Sequence, residues 1–86
     1  MALPAVPDWL KHRDGSLEPG VREHILFVVL GGQPQYRLEV RPAKGKETCI
    51  VTQANNGRRL DAGKEYADPA AAFVGGLDEL RDQLGW

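Results

Sequence analysis

The chain is poor in the residues that do most enzymatic work. Its 86 residues hold one cysteine, Cys49, two histidines, His12 and His24, and a single serine, Ser16. One cysteine cannot close an internal disulfide and suits a reducing, cytoplasmic setting. Zinc asks for three or four Cys, His or carboxylate ligands held close together. Two histidines and one cysteine on three separate segments, without a CxxC or HxxxH pair, supply no such set, so neither metal nor cofactor is expected. Long apolar stretches are also missing. The longest, Ile25–Leu30, falls far short of the ~20 residues that cross a bilayer. Nor does either sign of charge dominate. A net charge of −1 and a pI near 6.1 are far from the strongly basic balance of most nucleic-acid-binding domains.

What is present suits one small folded unit. Hydrophobic residues at 42% and charged residues at 27% lie close to globular averages, which argues against wholesale disorder. Residues 1–20 are rich in proline and glycine (Pro4, Pro7, Gly15, Pro19, Gly20) and form a segment distinct from the body at 21–86. Their start lacks the basic n-region of a secretory signal. Within them, residues 8–13 suit one or two helical turns before Asp14-Gly15 stops them. Leu3, Val6, Trp9 and Leu10 are apolar enough to dock this segment on the body. Charge is divided mildly: residues 21–66 carry eight Lys/Arg against five Asp/Glu, while 67–86 carry Arg81 against Asp68, Asp78, Glu79 and Asp82.

Three strands and a helix follow. The first strand, residues 23–30, contains the run Ile25–Leu30, apolar on both faces, the mark of a strand covered on both sides. Gly31-Gly32-Gln33-Pro34 reads as a turn. Residues 35–41 alternate, with Tyr36, Leu38 and Val40 on one face and Gln35, Arg37, Glu39 and Arg41 on the other. Pro42 ends that strand, and residues 43–46 make a second hairpin loop. Residues 47–54 put Cys49 and Val51 on one face and Thr48, Ile50 and Thr52 on the other. Asn55-Asn56-Gly57 is a tight turn, after which residues 58–60 admit a short fourth strand. The helix over 69–84 is marked by Asp68 as cap, Pro69 at the first position, a Phe73/Leu77/Leu80/Leu84 stripe and Gly85 as stop. The predicted fold is therefore α+β: a three-stranded antiparallel meander, with a short fourth strand admitted and a short N-terminal helical turn, and one C-terminal helix packed on one face. Tyr36, Leu38, Val40, Cys49, Val51, Phe73, Leu77, Leu80 and Leu84 form much of its core.

One helix covers one face of a sheet, yet the first strand is apolar on both. Something must cover the second face: the N-terminal segment through Trp9 and Leu10, another copy of the chain, or a partner. The attached segment is the favoured cover, because it loses least entropy on docking.

Residues with chemistry in them have simpler readings. Cys49 beside His24 could in principle form a nucleophilic pair, but a lone cysteine on a core strand is usually inert. Ser16 has no Gly-x-Ser-x-Gly around it. Asp78, Glu79 and Asp82 read as a solvated helix face. Gly57 with Gly63-Lys64 has the wrong spacing for a phosphate loop, and Glu65 stands where Ser or Thr belongs. Gly75-Gly76 inside the helix costs about 1 kcal/mol per residue relative to alanine, and close packing of helix on sheet explains it. Arg37 and Arg41 share the outward face of the second strand, with Arg58 and Arg59 in the adjoining turn. These four form a basic surface able to meet phosphates. Glu39 interrupts it, and no aromatic platform is evident beside it.

Element order resembles two known families. A helix, three strands and a helix resemble double-stranded-RNA-binding domains, and strands followed by one helix resemble plant AP2 domains. Asp68-Pro69-Ala70-Ala71-Ala72 replaces the lysine-rich helix start of the first, and the tryptophan and arginine pattern of the second is missing. Order alone does not imply function. The expectation is a small non-enzymatic protein-interaction module, a monomer or weak homodimer in the cytoplasm and away from membranes. The alternative is a weak nucleic-acid binder using Arg37, Arg41, Arg58 and Arg59.

Overall fold

The structure, a computed structural model, describes residues 4–22 and 24–86. Leu3 and Glu23, the latter placed by the sequence at the start of the first strand, lie outside the described residues. The described chain is α+β, with one antiparallel sheet and a C-terminal helix. The elements are α1 (Asp8–Lys11), β1 (Ser16–Pro19), β2 (Ile25–Leu30), β3 (Gln33–Ala43), β4 (Lys46–Gln53), β5 (Glu65–Tyr66) and α2 (Pro69–Leu84). The five strands pair in chain order, β1-β2-β3-β4-β5.

Three strands with a fourth admitted thus become five. The first addition, β1, comes from the proline-rich segment and pairs antiparallel with β2, Leu17 opposite Val28. Pro19 is tolerated because β1 is an edge strand. The second, β5, is only two residues long and begins five residues beyond the expected strand at 58–60. Residues 58–60 make only one bridge, Thr52 with Arg59, before the chain leaves β4 and returns at Glu65–Tyr66. Asp61 causes the departure. Its carboxylate accepts the Val51 N–H at 3.0 Å, so a side chain fills the place of a backbone partner.

β3 is also longer than its prolines suggest. Pro34 and Pro42 both lie within it instead of bounding it. Pro42 falls beyond the start of β2, whose first partner on β3 is Glu39. The Val40 N–H, which faces the same side, reaches back to the His24 carbonyl at 2.9 Å. Pro34 lies beyond Tyr36, the last β3 residue paired with β4. Each proline therefore sits where one side of the strand has no neighbour. The hairpins close through Gly31-Gly32 (φ 62° and 75°) and Lys44-Gly45 (φ 51° and 82°), successive positive φ values that match strand twist.

The inner face carries Leu26, Val28, Leu38, Val40, Cys49 and Val51, all buried, against Ala72, Phe73, Leu77 and Leu80 of α2. Tyr36 and Leu84, expected in the core, are partly buried at its margin. Asp68 accepts the Ala71 N–H at 2.8 Å to start α2. At its end Gly85 (φ 73°) and Trp86 donate to the Asp82 and Arg81 carbonyls, the paired bonds of a Schellman stop.

The N-terminal segment does dock, but not where the face arithmetic put it. Leu10 is fully buried in the same core as α2. Trp9 lies against Trp86, with ring centroids 5.8 Å apart, and the Arg13 guanidinium stands 4.1 Å from the centre of the Trp86 ring. Both helices therefore serve one face of the sheet, and neither covers the other.

Candidate functional site

That open face is built of rows, because cross-strand partners share a side. Glu18, Phe27, Arg37, Thr52 and Arg59 form one row across the sheet. Ile25, Glu39 and Ile50 form the next. Arg41, Thr48 and Glu65 form the third. Phe27, Ile25 and Ile50 are partly exposed there and belong to no part of the buried core.

Glu39 organises the centre. It is 8% exposed, although it stands on the side of the sheet that no helix covers. Its Oε1 accepts from Arg37 Nη1 at 3.1 Å and from Arg41 Nη2 at 3.3 Å, and its Oε2 lies 3.7 Å from His24 Nε2. The Arg41 hydrogen bond, aided by Arg37 and opposed by burial, holds the Glu39 carboxyl below the usual carboxylate range. At the Arg41 end, where β3 outruns β2, a cleft of about 600 Å³ opens between Arg22, His24, Arg41, Pro42 and Pro69.

Of the four arginines expected to act together, the structure aligns Arg37 and Arg59 in one row and puts Arg41 two residues beyond Glu39 on the same strand. Arg58 sits exposed in the turn, outside these rows. Arg59 is locked on Asp61 by two bonds, at 2.9 and 3.0 Å, and the Asp61 side chain is fully shielded. Sequence reasoning missed Phe27 as a member of this surface. Its signal, an aromatic in a strand apolar on both sides, was present but its face was not assignable.

Cys49 and His24 are not brought together. Cys49 faces α2 inside the core, whereas His24 meets Glu39 on the opposite side. Burial, with the negative charges of Asp61 and Glu79, pushes the Cys49 thiol up to about 12. Burial and a hydrogen bond to Glu79 (3.0 Å) push Tyr66 to about 12 as well. Glu79, read from sequence as part of a solvated helix face, is in fact buried. It also accepts the Ala62 N–H at 2.6 Å, tying α2 to the loop before β5. In the unfolded chain a thiol and a phenol ionise near 8.5 and 10. The unfolded state therefore loses these protons first, and stability falls as pH rises from about 8.5 toward 12. Alkaline denaturation monitored by circular dichroism should show this, with the lower part of the slope removed by Cys49→Ala. A thiol-directed reagent should label folded Cys49 only as fast as the core opens. Rapid labelling of the native protein would contradict the burial.

Among the described residues no three His, Cys, Asp or Glu converge as metal ligands would, and no helix is long and apolar enough to cross a membrane. The chain matches no protein-family model, no curated protein and no solved structure.

Proposed function

We propose that the protein is a small non-enzymatic interaction module whose binding surface is the sheet face opposite α2. One observation carries this reading. Ile25, Phe27 and Ile50 are left partly exposed beside a bound-up Arg37–Glu39–Arg41 cluster, while both helices pack on the other side. Exposed apolar side chains with an arginine beside an aromatic are the composition of binding hot spots. The ion cluster adds rigidity, since Arg37 and Arg41 are anchored by a buried carboxylate before any partner arrives.

The apolar residues taken alone suit a protein partner, the class the sequence points to first. A nucleic acid is the second reading, favoured by Arg37 standing directly across from Phe27.

The reading is tested by immobilising wild-type protein and Phe27→Ala and comparing what each retains from source lysate, protein and nucleic acid alike. Loss of a hot-spot aromatic should lower retention of the specific partner about tenfold or more, with unchanged far-UV circular dichroism. Equal retention by the two would sink the open face as the binding surface.

A further inference from the structure

We infer that the open face takes a single-stranded nucleic acid laid along β3, an assignment that rests on this face being the binding surface. The cations there run as a lane. Arg37 and Arg41 are four residues apart on one extended strand, roughly 13 Å, and Lys46 continues the same side opposite Ala43. The one carboxylate in the lane is already engaged. Glu39 is buried beneath Arg37 and Arg41, so what the lane turns outward is guanidinium. A guanidinium carries five N–H donors, and one bond to Glu39 leaves it able to grip a phosphate.

Phe27 supplies the second requirement of such a surface, an aromatic plane on which a base can stack. It stands beside Arg37 in the same row, so a backbone phosphate held by Arg37 brings its base toward the ring. Thr52, on the other side of Arg37, adds a small side chain that leaves the lane unobstructed.

Charge at the margins selects one strand over two. Glu18 on β1 and Glu65 on β5 stand at the margins of the face, and Arg59, at the end of the Arg37 row, is already paired with Asp61. Each glutamate lies two strand spacings from β3, about 10 Å. A duplex presents two phosphate rows across a groove about 12 Å wide. Centred on β3, those rows would spread toward the acidic margins, whereas a single strand stays over the arginines. The lane needs only Arg37, Arg41 and Lys46, so it is compatible with an acidic pI for the whole chain.

The test is a backbone NMR titration of the labelled full chain at low salt, using oligothymidine, oligouridine and a mixed-sequence duplex of equal length. Support would be shifts centred on Phe27, Arg37, Arg41 and Thr52 with either single strand, and weaker binding of the duplex. Affinity should fall with salt at about −0.7 in log–log slope per phosphate contacted, so Arg41→Gln should flatten the slope by about 0.7. Phe27→Leu keeps an apolar side chain for folding but removes the plane, and should weaken binding about fivefold or more. Silence toward both single strands, equal or tighter duplex binding, or shifts away from β2–β4 would each overturn the assignment. If it falls while Phe27→Ala still abolishes retention of a protein from lysate, the face serves a protein and only the nucleic-acid assignment is lost. If neither effect is seen, both readings fall.

Discussion

Replacing Asp61 with alanine should lower the unfolding free energy by about 3 kcal/mol, read by urea denaturation at neutral pH. The carboxylate is fully shielded and receives four hydrogen bonds: from Val51 N and Gly63 N at 3.0 Å each, and from the Arg59 Nε and Nη2. Its loss leaves the Val51 N–H facing a gap in the sheet, where an unsatisfied donor costs about 1–3 kcal/mol, and removes charge-assisted bonds besides. Arg59 is more than half exposed and returns to water, so little cost arises on its side. Burial alone would raise the Asp61 carboxyl, but the Arg59, Val51 and Gly63 hydrogen bonds outweigh it and hold it below the ordinary range. The sign of the pH effect follows. A carboxylate depressed in the folded state contributes fully above its unfolded value, near 4, and loses that contribution as pH falls through the folded value. The gap between wild type and Asp61→Ala should therefore close in acid. A variant as stable as wild type at neutral pH would show that the side chain does not hold the 61–64 excursion.

Gly76→Val should cost about 3 kcal/mol or more, the upper end of what overpacking does. Gly76 lies at the middle of α2 where it crosses β3 and β4. An added Cβ would collide with Cys49 Sγ and lie 3.1 Å from Cys49 Cβ and 3.2 Å from Leu38 Cδ2. In an ordinary exposed helix position, glycine to alanine gains about 1 kcal/mol. Here even Gly76→Ala should destabilise, and Cys49→Ala in the same chain should recover part of the loss, a coupling of about 0.5–3 kcal/mol. A Gly76→Ala protein more stable than wild type in thermal melts would overturn the close approach.

These residues show why some of the structure was legible in sequence. Helix α2 could be read almost to the residue, because Asp68, Pro69, Gly85 and the Phe73/Leu77/Leu80 stripe are local signals that packing merely confirms. Close packing at Gly75-Gly76 was legible too, as a broken propensity rule with a cheap explanation. Alternation likewise placed Leu38, Val40, Cys49 and Val51 inward. What escaped depended on partners. The four residues of β1 carry no periodicity of their own and become a strand only because β2 offers an edge. Asp61 ends the β4 pairing through its side chain, which no turn signal announces.

Phe27 is the most instructive case. From the Gly31-Gly32 hairpin the register runs Leu30 with Gln33 and Val29 with Pro34, and would put Phe27 opposite Tyr36, on the core side. Between Val28 and Val29 it shifts by one, with Gln35 as the extra residue, and Phe27 falls opposite Arg37 instead. A one-residue slip exchanges the two faces of a strand. The arginines were readable from their own strand, but the aromatic beside them depended on a bulge.

The Trp9–Trp86 contact makes the two ends of the described chain reportable by one optical signal. These are the only tryptophans, and they share one site. Intrinsic fluorescence thus registers the undocking of α1 from the end of α2, whereas far-UV circular dichroism registers the sheet and helix. Coincident melts by the two methods would mean that the clamp and the sheet unfold as one cooperative unit. A fluorescence transition at lower temperature would show the N-terminal arm opening first, exposing Leu10 while the sheet stays intact.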